Sequence, residues 1–232
     1  VQAGSSEDGK ELAARYAEAV FTAQQTLEDA LAFYTDLKAR TRAFGRNPDT
    51  IKILPGIVPL IGATEAEARA QEEELDRLIR PELARVQLAQ VLRVPPETLE
   101  LDRELPDLPS EDHIEGHKSR YTLIVNLARR ERLTVRQLLG RLGGGRGHRT
   151  FAGTPEQIAD ALEQWWESGA ADGFNVMPAV LPSGLERFVD HVVPLLQRRG
   201  LFRTEYTGRT LRDSYGLARP GNRYAASLEG AA

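Results

Sequence analysis

Gly4-Ser5-Ser6-Glu7 is the segment of this 232-residue chain best suited to chemistry. Its two hydroxyls stand where a helix should begin. There they adjoin backbone N–H groups without intrahelical partners and the positive end of the helix dipole. Such a place seats a phosphate. It is also what an ordinary serine N-cap looks like, and the local residues leave both readings open. A second anion-contact candidate is Arg146, His148 and Arg149, at the end of the glycine run 143–147. That run follows a helix, not a strand, so it is neither a dinucleotide fingerprint nor a P-loop. It reads as a helix stop and hinge or as a lid that orders over a bound anion. His113 and His117 have i,i+4 spacing, but their segment reads as loop. A metal site needs three or four placed ligands, so none is assigned. Asn175 and Met177 fall at the C-terminal end of a predicted strand, where packing and an active-site role are equally open. Trp165-Trp166 reads as core plus rim rather than a cofactor platform.

The elements that must position these residues alternate. Val1-Gln2-Ala3 reads as the tip of a buried strand, followed by a short helix over 7–15 and a strand over 17–21. Leu27, Leu31, Tyr34 and Leu37 give one apolar helix face, stopped by Gly45 and Asn47-Pro48. Residues 51–61 are almost wholly apolar, as in a strand buried on both faces; Pro55 and Pro59 predict a bend or a strand end there. Thr64-Glu65-Ala66-Glu67 reads as a capping box opening a helix. From Pro81 to residue 150 the chain reads as an insertion and lid, proline-rich over 94–109 and helical over 119–142 with a break near Leu133-Thr134. Thr154-Pro155-Glu156-Gln157 opens another helix, ended by Gly169. A strand over 173–178 and an amphipathic helix over 185–196 follow, then a polar, Arg-rich tail over 201–232. The expected division is 1–80 for β/α units, 81–150 for insertion and lid, 151–200 for a last β/α unit, and the tail. β-α alternation predicts a parallel sheet with right-handed crossovers. About four β-α units are legible, half the eight of a closed barrel.

Composition narrows the class. The net charge of −4 argues against a general nucleic-acid binder. There is no cysteine, hence no disulfide, zinc thiolate or thiol nucleophile. No apolar run approaches the roughly 20 residues that span a bilayer. The reading is a cytoplasmic protein without membrane or nucleic-acid partners.

Several motifs together resemble one family. Gln2-Ala3-Gly4-Ser5-Ser6-x-x-Gly9, Ala17-Glu18-Ala19-Val20-Phe21 and the stretch from Gly147 to Asp160 are similar to bacterial-luciferase-like flavin monooxygenases. The stretches 170–178 and 199–206, with Leu211-Arg212-Asp213-x-x-Gly216-Leu217-x-Arg219-Pro220, resemble its nitrilotriacetate and dibenzothiophene-sulfone monooxygenase branch. The resemblance implies the C-terminal half of a (β/α)8 TIM barrel carrying a helical insertion and an extended tail. It also implies reduced FMN from a separate flavin reductase, O2, and a small organic substrate, often with C–N or C–S cleavage. By the same resemblance Gly4, Ser5, Ser6 and Glu7 bind the FMN phosphate. The missing N-terminal half is the expected partner, and the complete barrel is expected to be a homo-oligomer. A half barrel leaves sheet edges unpaired and interior layers uncovered, so this chain alone is expected to be inactive. Two readings of other kinds remain: a non-catalytic half-barrel that binds flavin phosphate or a partner chain, and a deazaflavin-using reductase, which the tail disfavours.

Overall fold

The computed structural model describes residues 1–110, 118–145 and 147–221. The chain divides into two units, Val1–Phe202 and Arg203–Ala232.

In the first unit a parallel sheet is built on β2 (Lys52–Ile61). β1 (Ala19–Thr22) pairs with it in register from Ala19–Lys52 to Thr22–Pro55. β3 (Arg149–Gly153) pairs with its far half, Ile57–Arg149 to Ile61–Gly153. β4 (Asn175–Val176) lies against Gly56 and Ile57. Ahead of β1, Gln2 forms a parallel bridge to Val20, with Gln2 N donating to Ala19 O and Phe21 N to Gln2 O, both at 2.9 Å. The opening residues thus join the sheet edge through this one bridge.

β2 is buried from Ile53 to Ile61 and runs unbroken through both prolines, against the expected bend. Pro55 and Pro59 share one phase of the strand with Ile53 and Ile57. The carbonyls of Ile53 and Ile57 accept from Asp172 N and Met177 N. The missing proline N–H groups thus fall on the β4 edge, where the ladder is only two residues long.

The helices follow their caps. α1 (Glu7–Tyr16) and α2 (Leu27–Ala43) pack on each other and on Val20, Ile51 and Ile53. α3 (Glu65–Leu78) starts at Thr64, whose hydroxyl accepts from Glu67 N. Only half of the expected capping box forms, because Glu67 Oε2 takes Ala63 N instead of the Thr64 amide.

Residues 81–150 are more regular than the sequence implies. α4 (Pro81–Leu92) was not expected: Pro81 reads as a breaker but sits in the first turn, where its missing N–H leaves no intrahelical bond unmade. α5 (Lys118–Glu131) and α6 (Val135–Gly145) complete the insertion. Leu92, Leu99, Leu127, Val135 and Leu138 form its own core, each no more than 1% exposed. α6 continues into the glycine run, where packing on α3 overrides glycine's low helix propensity. The expected loop at 143–145 is therefore helix, and the 150/151 boundary falls inside β3, which the sequence reading missed.

α7 (Pro155–Glu167) has the full predicted capping box, Thr154 with Gln157. The expected single helix after β4 is interrupted. α8 (Ser183–Arg187) leads through a π-turn at Phe188–Val192 into α9 (Val193–Arg198). Pro194 offers no N–H to the carbonyl four residues back and its ring crowds that position, which a widened turn relieves. The second unit contains α10 (Leu211–Ser214), capped reciprocally by Thr210 and Asp213. Among the described residues no helix is long and apolar enough to cross a membrane.

Candidate functional site

The two serines do different jobs. Ser6 is the N-cap of α1, its Oγ accepting from Gly9 N at 3.2 Å. Ser5 turns its hydroxyl to Thr22 at the end of β1, Oγ to Oγ1 3.2 Å, and Thr22 also accepts from Gln24 Nε2 at 2.8 Å. The turn lies directly on the first turn of the helix. A Cβ at Gly4 would sit 2.5 Å from Gln2 Nε2, and one at Gly9 would sit 3.1 Å from Gly4 C. Glycine at both places lets the backbone amides and the Ser5 hydroxyl share one small concavity. Gln2 Oε1 is buried beside it without a hydrogen-bond partner among the described residues.

Glu7 turns away from this concavity. Its carboxylate is paired with Lys10 at 2.5 Å and Arg40 at 2.6 Å, and those hydrogen bonds hold its carboxyl below the ordinary carboxylate range. What Glu7 offers at the helix mouth is its backbone N–H. The donor set fits an oxyanion: serine hydroxyls, first-turn amides and an acidic side chain already neutralised.

A second group gathers at the start of β3. The His148 ring stacks on Phe21, centroids 4.9 Å apart and planes within 2°. Both rest against Gly56 in β2, where a Cβ would collide with His148 Nδ1 and lie 2.6 Å from Phe21 Cε2. Burial, and next the charge of Arg120, push the His148 pKa below its usual 6.5, leaving a neutral ring at pH 7. Nδ1 is buried with no partner among the described residues. Arg149 Nη1 donates to Gln25 O at 2.8 Å and Gln25 Nε2 to Gly147 O at 2.6 Å, tying this turn to the loop after β1.

Thr22 and Phe21 are neighbours on β1, so they leave the strand on opposite faces. Ser5 meets the first and His148 the second: the two candidate groups share a strand end without forming one cluster. Arg146, His113 and His117 lie outside the described residues. Asn175 Nδ2 donates to Leu54 O at 3.0 Å, tying it to β2. Trp165 is buried against Phe151 and Phe174 while Trp166 is half exposed, the core-plus-rim arrangement. Thr22, Gln24 and Gln25 went unnoticed in the sequence, since nothing local links Thr22 to a serine 17 residues earlier. Among the described residues no cluster of three or more His, Asp or Glu could hold a metal ion.

The parallel sheet thus brings Thr22 at the end of β1 to the mouth of α1 and its two serines. The model of the luciferase-like monooxygenases matches residues 1–172, and the chain belongs to that family. It is 52% identical over 227 residues to nitrilotriacetate monooxygenase component A of Aminobacter aminovorans, covering 97% of this chain and 49% of that protein. It is 39% identical over 221 residues to dibenzothiophene-sulfone monooxygenase of Rhodococcus erythropolis, covering 95% of this chain and 49% of that one. Among solved structures, riboflavin lyase RcaE with modified FMN and riboflavin superposes with a TM-score of 0.76 at 26% identity, over 96% of this chain and 48% of that chain. The chain spans about half the length of each.

Proposed function

We propose that this chain forms one half of a two-component monooxygenase barrel and seats the phosphate of FMN. Reduced FMN comes from a separate flavin reductase, and the missing barrel half supplies the remaining walls. The observation that carries this is the Ser5–Thr22 hydroxyl pair set over the mouth of α1, in a turn packed closely through Gly4 and Gly9. When bound, FMN supplies the electrons for O2 chemistry: one oxygen atom enters a small organic substrate and the other leaves as water.

The chain's own residues hold and shield. Ser5, with the amides of Ser6 and Glu7, fixes the phosphate; Thr22 and Gln24 orient Ser5. His148, neutral and stacked on Phe21, presents an uncharged polar ring at the strand ends. The insertion over 95–147 acts as a lid that keeps water from the site.

The test pairs this chain with the half of nitrilotriacetate monooxygenase component A that it does not match. The two co-expressed halves should bind FMN and consume O2 in a substrate-dependent way. The chain alone should aggregate, dimerise through its open edges or stay partly molten. A monodisperse monomer that couples oxidation of reduced FMN to oxygenation without the other half refutes the proposal.

A further inference from the structure

β3 has a second face. His148 precedes the strand and stacks on Phe21; within β3, Arg149 and Phe151 share one side, where the Arg149 guanidinium lies 5.4 Å from the Phe151 ring centroid. That side opens on a cavity of about 220 Å³ walled by α3, α6, β3 and the start of α7. Five charged side chains line it: Arg69, Glu72, Asp76, Arg141 and Arg149.

Two of them are already satisfied. Arg69 pairs with Glu65 at 2.6 Å and Arg141 with Glu131 at 3.1 Å, both carboxylates outside the cavity lining. The other three are not. Arg149 spends Nη1 on Gln25 O, and its Nε is buried with no partner among the described residues. Among those residues the Glu72 and Asp76 carboxylates accept no hydrogen bond and form no ion pair within 4.0 Å. A buried guanidinium N–H left unpaired is costly. Its Nε edge is one of the forks that match a carboxylate with two parallel bonds.

We infer that this cavity binds a small zwitterion, its carboxylate on the Nε edge of Arg149 and its ammonium group between Glu72 and Asp76. An anion alone would meet both carboxylates, and a cation alone would meet Arg149 and Arg141. A molecule bearing both charges satisfies every unpaired group at once. The volume, about seven waters at about 30 Å³ each, admits a molecule of amino-acid size. His148 and Gln25 also line the cavity, so the inference stands apart from the flavin reading only through its ligand contacts, Arg149, Glu72 and Asp76.

The experiment titrates γ-aminobutyrate, butyrate and butylammonium into the paired half-barrels, followed by calorimetry and by the NMR signal of Arg149 Nε–H. The zwitterion should bind at least tenfold tighter than either single-charge probe and should shift that signal. Arg149→Gln should abolish the preference. Asp76→Asn with Glu72→Gln, which leaves the Gln25 contact intact, should abolish it too if the first variant fails to fold. Equal binding of the three probes, binding of none, or a preference that survives the acidic-pair variant overturns the inference. FMN titrated into the same sample separates the two readings: lost FMN binding with zwitterion binding intact counts against the flavin proposal alone, and the reverse counts against this one alone.

Discussion

The strand-end concavity and the helical insertion are built on opposite principles. The insertion holds a core of leucines, valines, Ile124 and Tyr121 between α4, α5 and α6, with Leu92, Val135 and Leu138 fully buried. The concavity around Ser5 buries almost nothing large. It consists of glycines, hydroxyls and backbone, placed by a strand end and a helix cap. Stability and ligand recognition are therefore separable here. A change in one region should leave a signature that the same change in the other cannot.

Leu138→Ala should give the largest effect. Truncating a fully buried leucine costs about 2–5 kcal/mol, seen as a lower denaturation midpoint. FMN affinity of the molecules that remain folded should not change. A loss of affinity equal to the loss of stability would erase the proposed separation.

Gly56→Ala comes next and lies between the two regions. The new methyl group would displace the His148–Phe21 stack, at about 1–3 kcal/mol for overpacking a tight site. NMR shifts of the Phe21 and His148 rings should report the displacement, and unmoved rings would contradict the packing described.

The smallest effect is one of pH. The folded pKa of His148 lies below its unfolded value of 6.5. As pH falls through 6.5 the unfolded chain takes up a proton that the folded one resists, so stability falls with acid. Above that value the ring contributes no pH dependence. His148→Gln should flatten the stability profile below pH 6.5 relative to the parent protein, and an identical profile would show that the ring titrates freely.

What could be read from the sequence was what is local. Thr154-Pro155-Glu156-Gln157 announced α7 because every partner of a capping box lies within four residues. Gly169 ended it because the chain leaves that helix with a φ of +73°, which glycine alone adopts freely. β3 stayed hidden: five residues beside a glycine run carry too little periodicity, and their pairing is with β2 almost a hundred residues earlier. The prolines of β2 misled for a related reason. A proline is tolerated in a strand when its missing donor faces a weakly paired edge, and which edge that is depends on β4. The site divided in the same way. Ser6 as a cap was legible, Ser5 as the partner of Thr22 was not, and the stacking of His148 on Phe21 depended on a contact more than a hundred residues away in sequence.

The central claim is that a hydroxyl at the end of β1 and a serine at the mouth of α1 together hold the flavin phosphate. Fluorescence titration of FMN into the paired half-barrels, parent against Ser5→Ala/Ser6→Ala, tests it most directly. Losing hydrogen bonds to a charged group costs about 1–3 kcal/mol, so FMN affinity should fall about 5- to 150-fold. Thr22→Val, which keeps the shape and removes only the hydroxyl, should weaken FMN in the same direction by less. Unchanged affinity in the double variant, with the fold intact by circular dichroism, would contradict the account.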